Sequence, residues 1–260
     1  MRVAVVQTNP EFGEVRKNNT QALSMMESVN ADLYVLPELF NTGYNFIDKN
    51  EVRRLAERVP GPTSEAMCRF AKEKNSFVVY GFAEKTENIF NSAALVGPSG
   101  IVGVYRKVHL FDRENLFFAP GDRGFQVFDL PFGKVGIMIC FDWIYPESAR
   151  SLALKGAQLI AHPSNLVLPH CPDAMVTRCL ENRVFAATAD RVGLENRGGF
   201  DLRYIGMSEI VSPRGEILQR LSKDKQEVAF IEINLEIADN KKINAHNDLL
   251  ANRRVDQYSL

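Results

Sequence analysis

An α/β fold with two sheets packed face to face and helices on their outer sides is the class this sequence predicts. Three observations carry it. Strand-length apolar runs alternate with amphipathic helical stretches along the whole chain. The strands at the middle of each half are apolar at consecutive positions, as in strands covered on both faces. The chain also carries a worn duplication. Arg2-Val3-Ala4-Val5-Val6 recurs as Lys134-Val135-Gly136-Ile137-Met138, and ADLYVLPE from Ala31 recurs as AQLIAHPS from Ala157. The turn Pro98-Ser99-Gly100-Ile101 recurs as Pro213-Arg214-Gly215-Glu216. Order is kept, and the spacing drifts only slowly. Two pseudo-repeated halves, each a strand–helix–strand unit feeding a hairpin, would make two such sheets. A single doubly wound sheet competes, but no glycine-rich dinucleotide loop follows the first strand.

Taken in order, Arg2–Thr8 reads as a strand and Lys17–Val29 as a helix with Leu23, Met26 and Val29 on one side. Asp32–Pro37 is a second buried strand. Pro62–Asn75 is a helix entered through Thr63 or Ser64, with Met67, Phe70 and Ala71 inward. Phe77–Phe82, Ser92–Val96 and Ile101–Lys107 are strands, the last two joined by Gly97-Pro98-Ser99-Gly100. Phe125–Leu130 and Val135–Ile139 follow as strands, and Pro146 sits where the first turn of a helix to Lys155 would begin. Leu159–Ala161, helix Ala174–Arg183 and strand Val184–Asp190 come next. Tyr204–Val211, Glu216–Leu221 and Val228–Ile233 close the pattern. No linker or low-complexity segment interrupts it, so residues 1–260 read as one domain.

Composition excludes several classes. Lys plus Arg number 31 and Asp plus Glu 32, a net charge of −1, so there is no basic excess for nucleic acid. No apolar run approaches transmembrane length, and the N-terminal stretch lacks signal-peptide architecture. A cytoplasmic protein without a membrane partner is expected. Cys68, Cys140, Cys171 and Cys179 form no CxxC pair and read as reduced thiols rather than a disulfide framework.

Chemistry gathers at strand ends. Cys140 stands where the apolar strand Val135–Ile139 stops, ahead of a helix start that would favour its thiolate. A cysteine ending an apolar strand is by itself ordinarily a small core residue. Two other strand ends change the weighing. Asp32–Pro37 runs into Glu38, and Ile101–Lys107 ends in Arg106-Lys107. Acid, amine and thiol each sit at a strand end, and Glu38 (Leu36-Pro37-Glu38-Leu39-Phe40) and Lys107 (between Tyr105 and Leu110) lie in apolar surroundings. Charges so placed want partners.

These segments resemble the nitrilase, or carbon–nitrogen hydrolase, superfamily. LPELFNTGY (36–44) is similar to its glutamate motif, GVYRKVHLF (103–111) to its lysine motif, and GIMICFDWIYPESARSLALKGA (136–157) to its cysteine motif. FNSA (90–93), FFAPGD (117–122) and NRRVDQY (252–258) also fit, so the likeness spans the chain in the family's order. The resemblance implies a four-layer α-β-β-α sandwich, a catalytic triad at Glu38, Lys107 and Cys140, a second glutamate at Glu114, and association through the outer helices into a homodimer or larger homo-oligomer. It implies no metal and no cofactor.

Physical chemistry gives these types roles. Cys140 would attack an acyl carbon as thiolate, with Glu38 as base. Burial should raise the Glu38 pKa toward neutrality while Lys107 pulls it back. Lys107 and the Phe141 backbone N–H would hold the oxyanion, and Glu114 would orient Lys107 or the substrate. Tyr44, Trp143 and Asn165, beside the three motifs, are the candidate substrate-binding residues; for Tyr44 and Trp143 core packing is the equal alternative. Cys140-Phe141-Asp142 is similar to the amidase and carbamoylase branches, whereas the longer string through Ala157 resembles a branch with aliphatic nitrile activity. An amide substrate leads, with nitriles and N-carbamoyl amines behind. A Cys–His hydrolase using His109, His162 or His170 is the rival enzyme, with His162 reading as a core histidine. A binding protein that has lost catalysis is the rival outside enzymes.

Overall fold

The computed structural model describes residues 1–259 and has the two-sheet architecture. The first half comprises β1 (Arg2–Gln7), α1 (Val15–Glu27), β2 (Leu33–Val35), α2 (Lys49–Leu55), α3 (Pro62–Lys74), β3 (Phe77–Lys85), β4 (Ile89–Gly97) and β5 (Gly100–Arg106). A short helix α4 (Glu114–Phe117) leads to the second half: β6 (Gln126–Leu130), β7 (Gly133–Ile137), α5 (Pro146–Leu154), β8 (Leu159–Pro163), α6 (Cys171–Asn182) and β9 (Phe185–Ala189). Then come β10 (Leu194–Arg197), β11 (Phe200–Arg203), β12 (Glu209–Val211), β13 (Ile217–Arg220) and β14 (Glu227–Glu232).

One sheet has the order β14-β1-β2-β3-β4-β5 and the other β13-β12-β9-β8-β7-β6. In each, three parallel strands lead into an antiparallel hairpin: β1, β2, β3 then β4–β5, and β7, β8, β9 then β12–β13. Each unit also has an antiparallel strand beside its first member, β14 on β1 and β6 on β7. The second unit is continuous in sequence, whereas the first takes its outer strand from the end of the chain. The duplication is therefore real in topology, and it is permuted.

Strand alternation explains why the sequence is apolar on both faces. Val3, Val5, Leu33, Val35 and Val79 meet Val135, Ile137, Leu159 and Ala187 between the sheets. The intervening residues Ala4, Val6, Tyr34, Leu36 and Val78 pack outward under Met26 of α1 and Met67, Phe70 of α3. Successive side chains on a strand point to opposite faces, so a covered sheet needs both sets apolar. Burying each such Val or Leu is worth about 1.5–3 kcal/mol. Prolines start the helices, Pro62 on α3 and Pro146 on α5, where a missing N–H costs nothing.

Four segments differ from the sequence expectation, the short helix α4 among them. Helix α2 is additional; Asp48 caps it, accepting from the Asn50 and Glu51 amides. The expected strand Tyr204–Val211 pairs only at Glu209–Val211, and the hairpin β10–β11 precedes it through a turn with Gly198 at φ +59° and Gly199 at φ +79°. Helix α6 starts at Cys171, not Ala174; its Met175 is buried in the core, while Leu180 faces out. No helix among the described residues is long and apolar enough to cross a membrane.

Candidate active site

The loops that follow β2, β5, β7 and β8 meet at one end of the sandwich. Pro37 to Phe40 lie across β3: Gly81 donates to the Pro37 carbonyl at 3.1 Å, and Phe40 to the Gly81 carbonyl at 3.2 Å. A Cβ at position 81 would stand 2.5 Å from the Glu38 Cα, so only glycine lets the loop sit this deep. Glu38 is consequently inaccessible to solvent. Its Oε1 accepts from Lys107 Nζ at 2.7 Å and Asn91 Nδ2 at 2.6 Å, while its Oε2 has no partner among the described residues. Burial pushes the Glu38 carboxyl up to about 7; Lys107 works against that and Glu114 adds to it.

Lys107 follows the last residue of β5, with its N–H on the Asn91 carbonyl and its carbonyl taken by Gly121. That second contact is close enough that a Cβ on Gly121 would lie 2.2 Å from the Arg106 oxygen. Fully buried, the Lys107 ammonium bridges Glu38 Oε1 and Glu114 Oε1 at 2.7 Å each. Burial opposes its charge, but the two carboxylates outweigh that and hold it above an ordinary lysine. Glu114 begins α4, and its Oε1 also accepts from the Tyr44 hydroxyl at 2.5 Å and its Oε2 from the Phe111 N–H at 3.2 Å. One ammonium thus sits between two carboxylates, and the charge of Glu38 is marginal.

Strand β7 ends at Ile137, and Cys140 opens a tight 3₁₀ turn to Ile144 with a φ of +41°. That value is costly for a side chain other than glycine and must be held by surroundings. The holders are visible. The Cys140 carbonyl accepts from His162 Nε2 at 3.0 Å, and the buried Asp142 carboxylate accepts from the Ile139 N–H at 2.9 Å and the Tyr105 hydroxyl at 2.6 Å. The other Asp142 oxygen receives the His109 N–H at 3.1 Å and lies 2.8 Å from His109 Nδ1. Cys140 Sγ is 3.8 Å from the Asn165 carbonyl, and the Asn165 side-chain amide donates to the Glu38 carbonyl at 2.8 Å. Asn165 thereby stitches the thiol loop to the Glu38 loop.

The charge state of the thiol is a correction. Burial and the nearby Glu38 push the Cys140 thiol up, and Lys107 only partly offsets them. Helix α5 begins six positions on, at Pro146, too far to favour a thiolate. The balance disfavours a resting thiolate. The histidine alternative also loses its geometry. His162 is spent on the Cys140 carbonyl and Thr188, and burial takes it down to about 4. His109 faces Asp142, and His170 is exposed at the start of α6.

The candidate binding residues Tyr44, Trp143 and Asn165, with Phe141, line two small neighbouring cavities. One, of about 50 Å³, is walled by Tyr44, Phe111, Glu114, Val167 and Phe200. The other, of about 20 Å³, is walled by Cys140, Phe141, Trp143, Asn165, Phe111 and Val167. Phe111 and Val167 are common to both. Trp143 is also part of the core between sheet and helix, so its two readings coexist. Sequence reasoning missed Asn91 and Asp142 as site residues. The signal for Asp142 was its place two residues after the cysteine; for Asn91 it was a polar residue, with Ser92 beside it, in a buried strand that is otherwise without polar side chains. No group of three His, Cys, Asp or Glu among the described residues is placed to hold a metal ion.

A buried thiol, carboxylate and ammonium at adjoining strand ends are the residue types that a cysteine hydrolase would use. The sequence pattern of carbon-nitrogen hydrolases matches residues 2–242, and the chain belongs to that family, within the nitrilase superfamily. It is 50% identical to a nitrilase of Pyrococcus abyssi over 99% of both chains. It is 32% identical to an (R)-stereoselective amidase of a Pseudomonas species, covering 98% of this chain and 92% of that one. Among solved structures, a carbon-nitrogen hydrolase from Helicobacter pylori superposes with a TM-score of 0.88 at 26% identity, covering 99% of this chain and 96% of that one.

Proposed function

We propose that the protein hydrolyses the carbon–nitrogen bond of short aliphatic amides through a thioester on Cys140, releasing ammonia and a carboxylic acid. The observation that carries this reading is the buried, unpartnered Glu38 Oε2, on a carboxyl held at about 7 whose charge acts on the Cys140 thiol. As Cys140 Sγ bonds to the acyl carbon, its proton passes to Glu38. The carbonyl electron pair moves to oxygen, where the Lys107 ammonium and the Phe141 N–H receive it. When the C–N bond breaks, the nitrogen takes the proton from Glu38 and departs. Glu38 then removes a proton from water, which attacks the thioester; the sulfur leaves and is reprotonated. Glu114 keeps Lys107 in place throughout. The two cavities, of about 50 and 20 Å³ and mostly apolar, suit a chain of few carbons.

A second reading is supported by the 50% identity to a protein named a nitrilase. Adding Sγ–H across a C≡N bond gives a thioimidate; water then displaces ammonia and the same thioester results. Incubation with short aliphatic amides, aliphatic nitriles and N-carbamoyl amines, with ammonia and acid measured, separates the readings. Acid from amides supports the first, and acid from nitriles faster than from the matching amides replaces it with the second. No turnover in any class overturns both. An acyl group on Cys140 in mass spectra of quenched reactions is expected in either case.

A further inference from the structure

We infer that Glu195, on the hairpin β10–β11, is a positioning residue for the Lys107–Glu114 pair, acting through Tyr44. The inference rests on the catalytic reading above. Glu195 is 5% exposed and has no contact with Lys107 or Glu114 among the hydrogen bonds of the described residues. A carboxylate so deep must be paid for by donors. It has four sources: the Arg191 guanidinium, the Tyr204 hydroxyl at 3.0 Å, the Tyr44 N–H at 3.2 Å and the Asn45 N–H at 2.7 Å.

Arg191 supplies the counter-charge. Here two successive amides of another loop point at the carboxylate. Gly43 bends that loop with a φ of +79°, and a Cβ there would stand 2.7 Å from Glu195 Oε1. Side chain and turn are built around each other. The Tyr44 ring is braced edge-on by Tyr204, at 6.3 Å between centroids, and Tyr204 is itself bonded to Glu195. Asn45 Nδ2 donates to the Phe200 carbonyl at 3.0 Å, fixing the loop to the other strand of the hairpin. The Tyr44 hydroxyl then reaches Glu114 Oε1 at 2.5 Å, the same oxygen that receives Lys107.

The consequence concerns how Lys107 is shared. With Tyr44 in place, Glu114 Oε1 divides its acceptor capacity between a hydroxyl and the ammonium. Without it, Lys107 turns toward Glu114 and away from Glu38, and the Glu38 carboxylate loses its neutralising neighbour. The other groups that feel the Glu38 charge are Cys140, Tyr44, Tyr204 and, from the loop after β9, Asp190, none of which supplies a positive charge.

The test compares Glu195→Gln, Tyr44→Phe and the double variant Glu195→Gln/Arg191→Met, which avoids leaving a buried guanidinium unpaired. Full pH profiles of kcat and KM are measured on the best substrate of the wild-type chain. Each folded variant should lose about tenfold or more in kcat with KM changed by less than about threefold. Its acid limb should move to higher pH, while Cys140 still reacts with iodoacetamide. If Glu195→Gln does not fold, the other two variants decide. A wild-type acid limb and kcat in the folded variants overturn the inference and leave the hydrolase reading standing. An inactive wild-type chain overturns the hydrolase reading instead.

Discussion

The ends of β2 and β8 are the same piece of backbone used for different chemistry. Leu36 after β2 donates to the Val79 carbonyl at 2.8 Å, and Ser164 after β8 donates to the Ala189 carbonyl at 2.8 Å, each tying its loop to the neighbouring parallel strand. The duplication sets Leu36-Pro37-Glu38 against His162-Pro163-Ser164. The first half ends in a buried carboxylate with Lys107 and Glu114 around it. The second ends in neutral donors and acceptors, His162, Ser164 and Asn165, around the Cys140 turn. Likewise Cys140 after β7 matches Thr8 after β1, a buried residue whose hydroxyl is unpartnered. Neither half is a site alone. One supplies charge and the other the thiol proposed as nucleophile, held in a strained turn, and Asn165 joins them.

Removing the nucleophile is the harshest test of that division. Cys140→Ala should abolish turnover on every substrate, a loss of about 10³-fold or more, while circular dichroism remains that of the wild type. Retained turnover would mean that the second half contributes no nucleophile and that the proposed thioester is wrong.

The charged half comes next. Glu38→Gln keeps shape and removes proton transfer, so roughly 10²–10⁴ in rate should go. Lys107→Ala removes an oxyanion donor, roughly 10²–10³, and leaves Glu38 and Glu114 buried without a counter-charge, at about 3–5 kcal/mol of stability. The double variant should be little slower than the worse single one, because the residues act together. Additive losses would show that the half is not one unit. A Glu38→Gln variant with most of its kcat would move the base elsewhere and return a histidine to consideration.

The pH profile then reads the balance within that half. Glu38 must be ionised to accept the thiol proton, so kcat/KM should rise with pH through about 7. Glu114 raises the Glu38 pKa, so Glu114→Gln should shift this limb to lower pH, opposite to the shift expected for Tyr44→Phe. His162, at about 4, adds no inflection near neutrality. A limb that ignores Glu114→Gln would assign the titration to another group.

The division was partly legible beforehand. Glu38, Lys107 and Cys140 stand out because each is a polar residue that stops an apolar run, and strand ends are where an α/β fold exposes chemistry. Glu114 was legible only through resemblance, since a glutamate in a loop carries no periodic signal. Asn91 and Glu195 lie 53 and 151 positions from Glu38 and Tyr44, their partners. Spacing along a chain does not report such contacts. The upward push on the thiol is not legible in the sequence because proximity to a helix start is local, whereas burial and the Glu38 charge come from the whole packed end of the sandwich. The hairpin β10–β11 was missed because its outward residues, Leu194 and Phe200, break the alternation that marks a half-buried strand.

The outer layers of the two halves differ as well, and this leads to the mildest prediction. Helices α1 and α3 over the first sheet show no exposed large apolar residue among those described, whereas α5 and α6 over the second show Leu154 and Leu180, 47% and 49% exposed, with Ile144 just ahead of α5. Near the chain end, Val255 and Tyr258 are exposed too. Apolar groups gathered on one helix layer are what a self-complementary contact buries. The second half is therefore expected to face a second copy of the chain, with the tail reaching across the two-fold axis. Light scattering at micromolar concentration should give a dimer or larger assembly. Leu180→Glu should weaken it, because the charge would be buried without a partner. Since neither Leu154 nor Leu180 lines the cavities at the catalytic end, kcat of the dissociated variant should stay within about threefold of the wild type. A monomeric wild-type chain would mean that the two helix layers differ for some reason other than assembly.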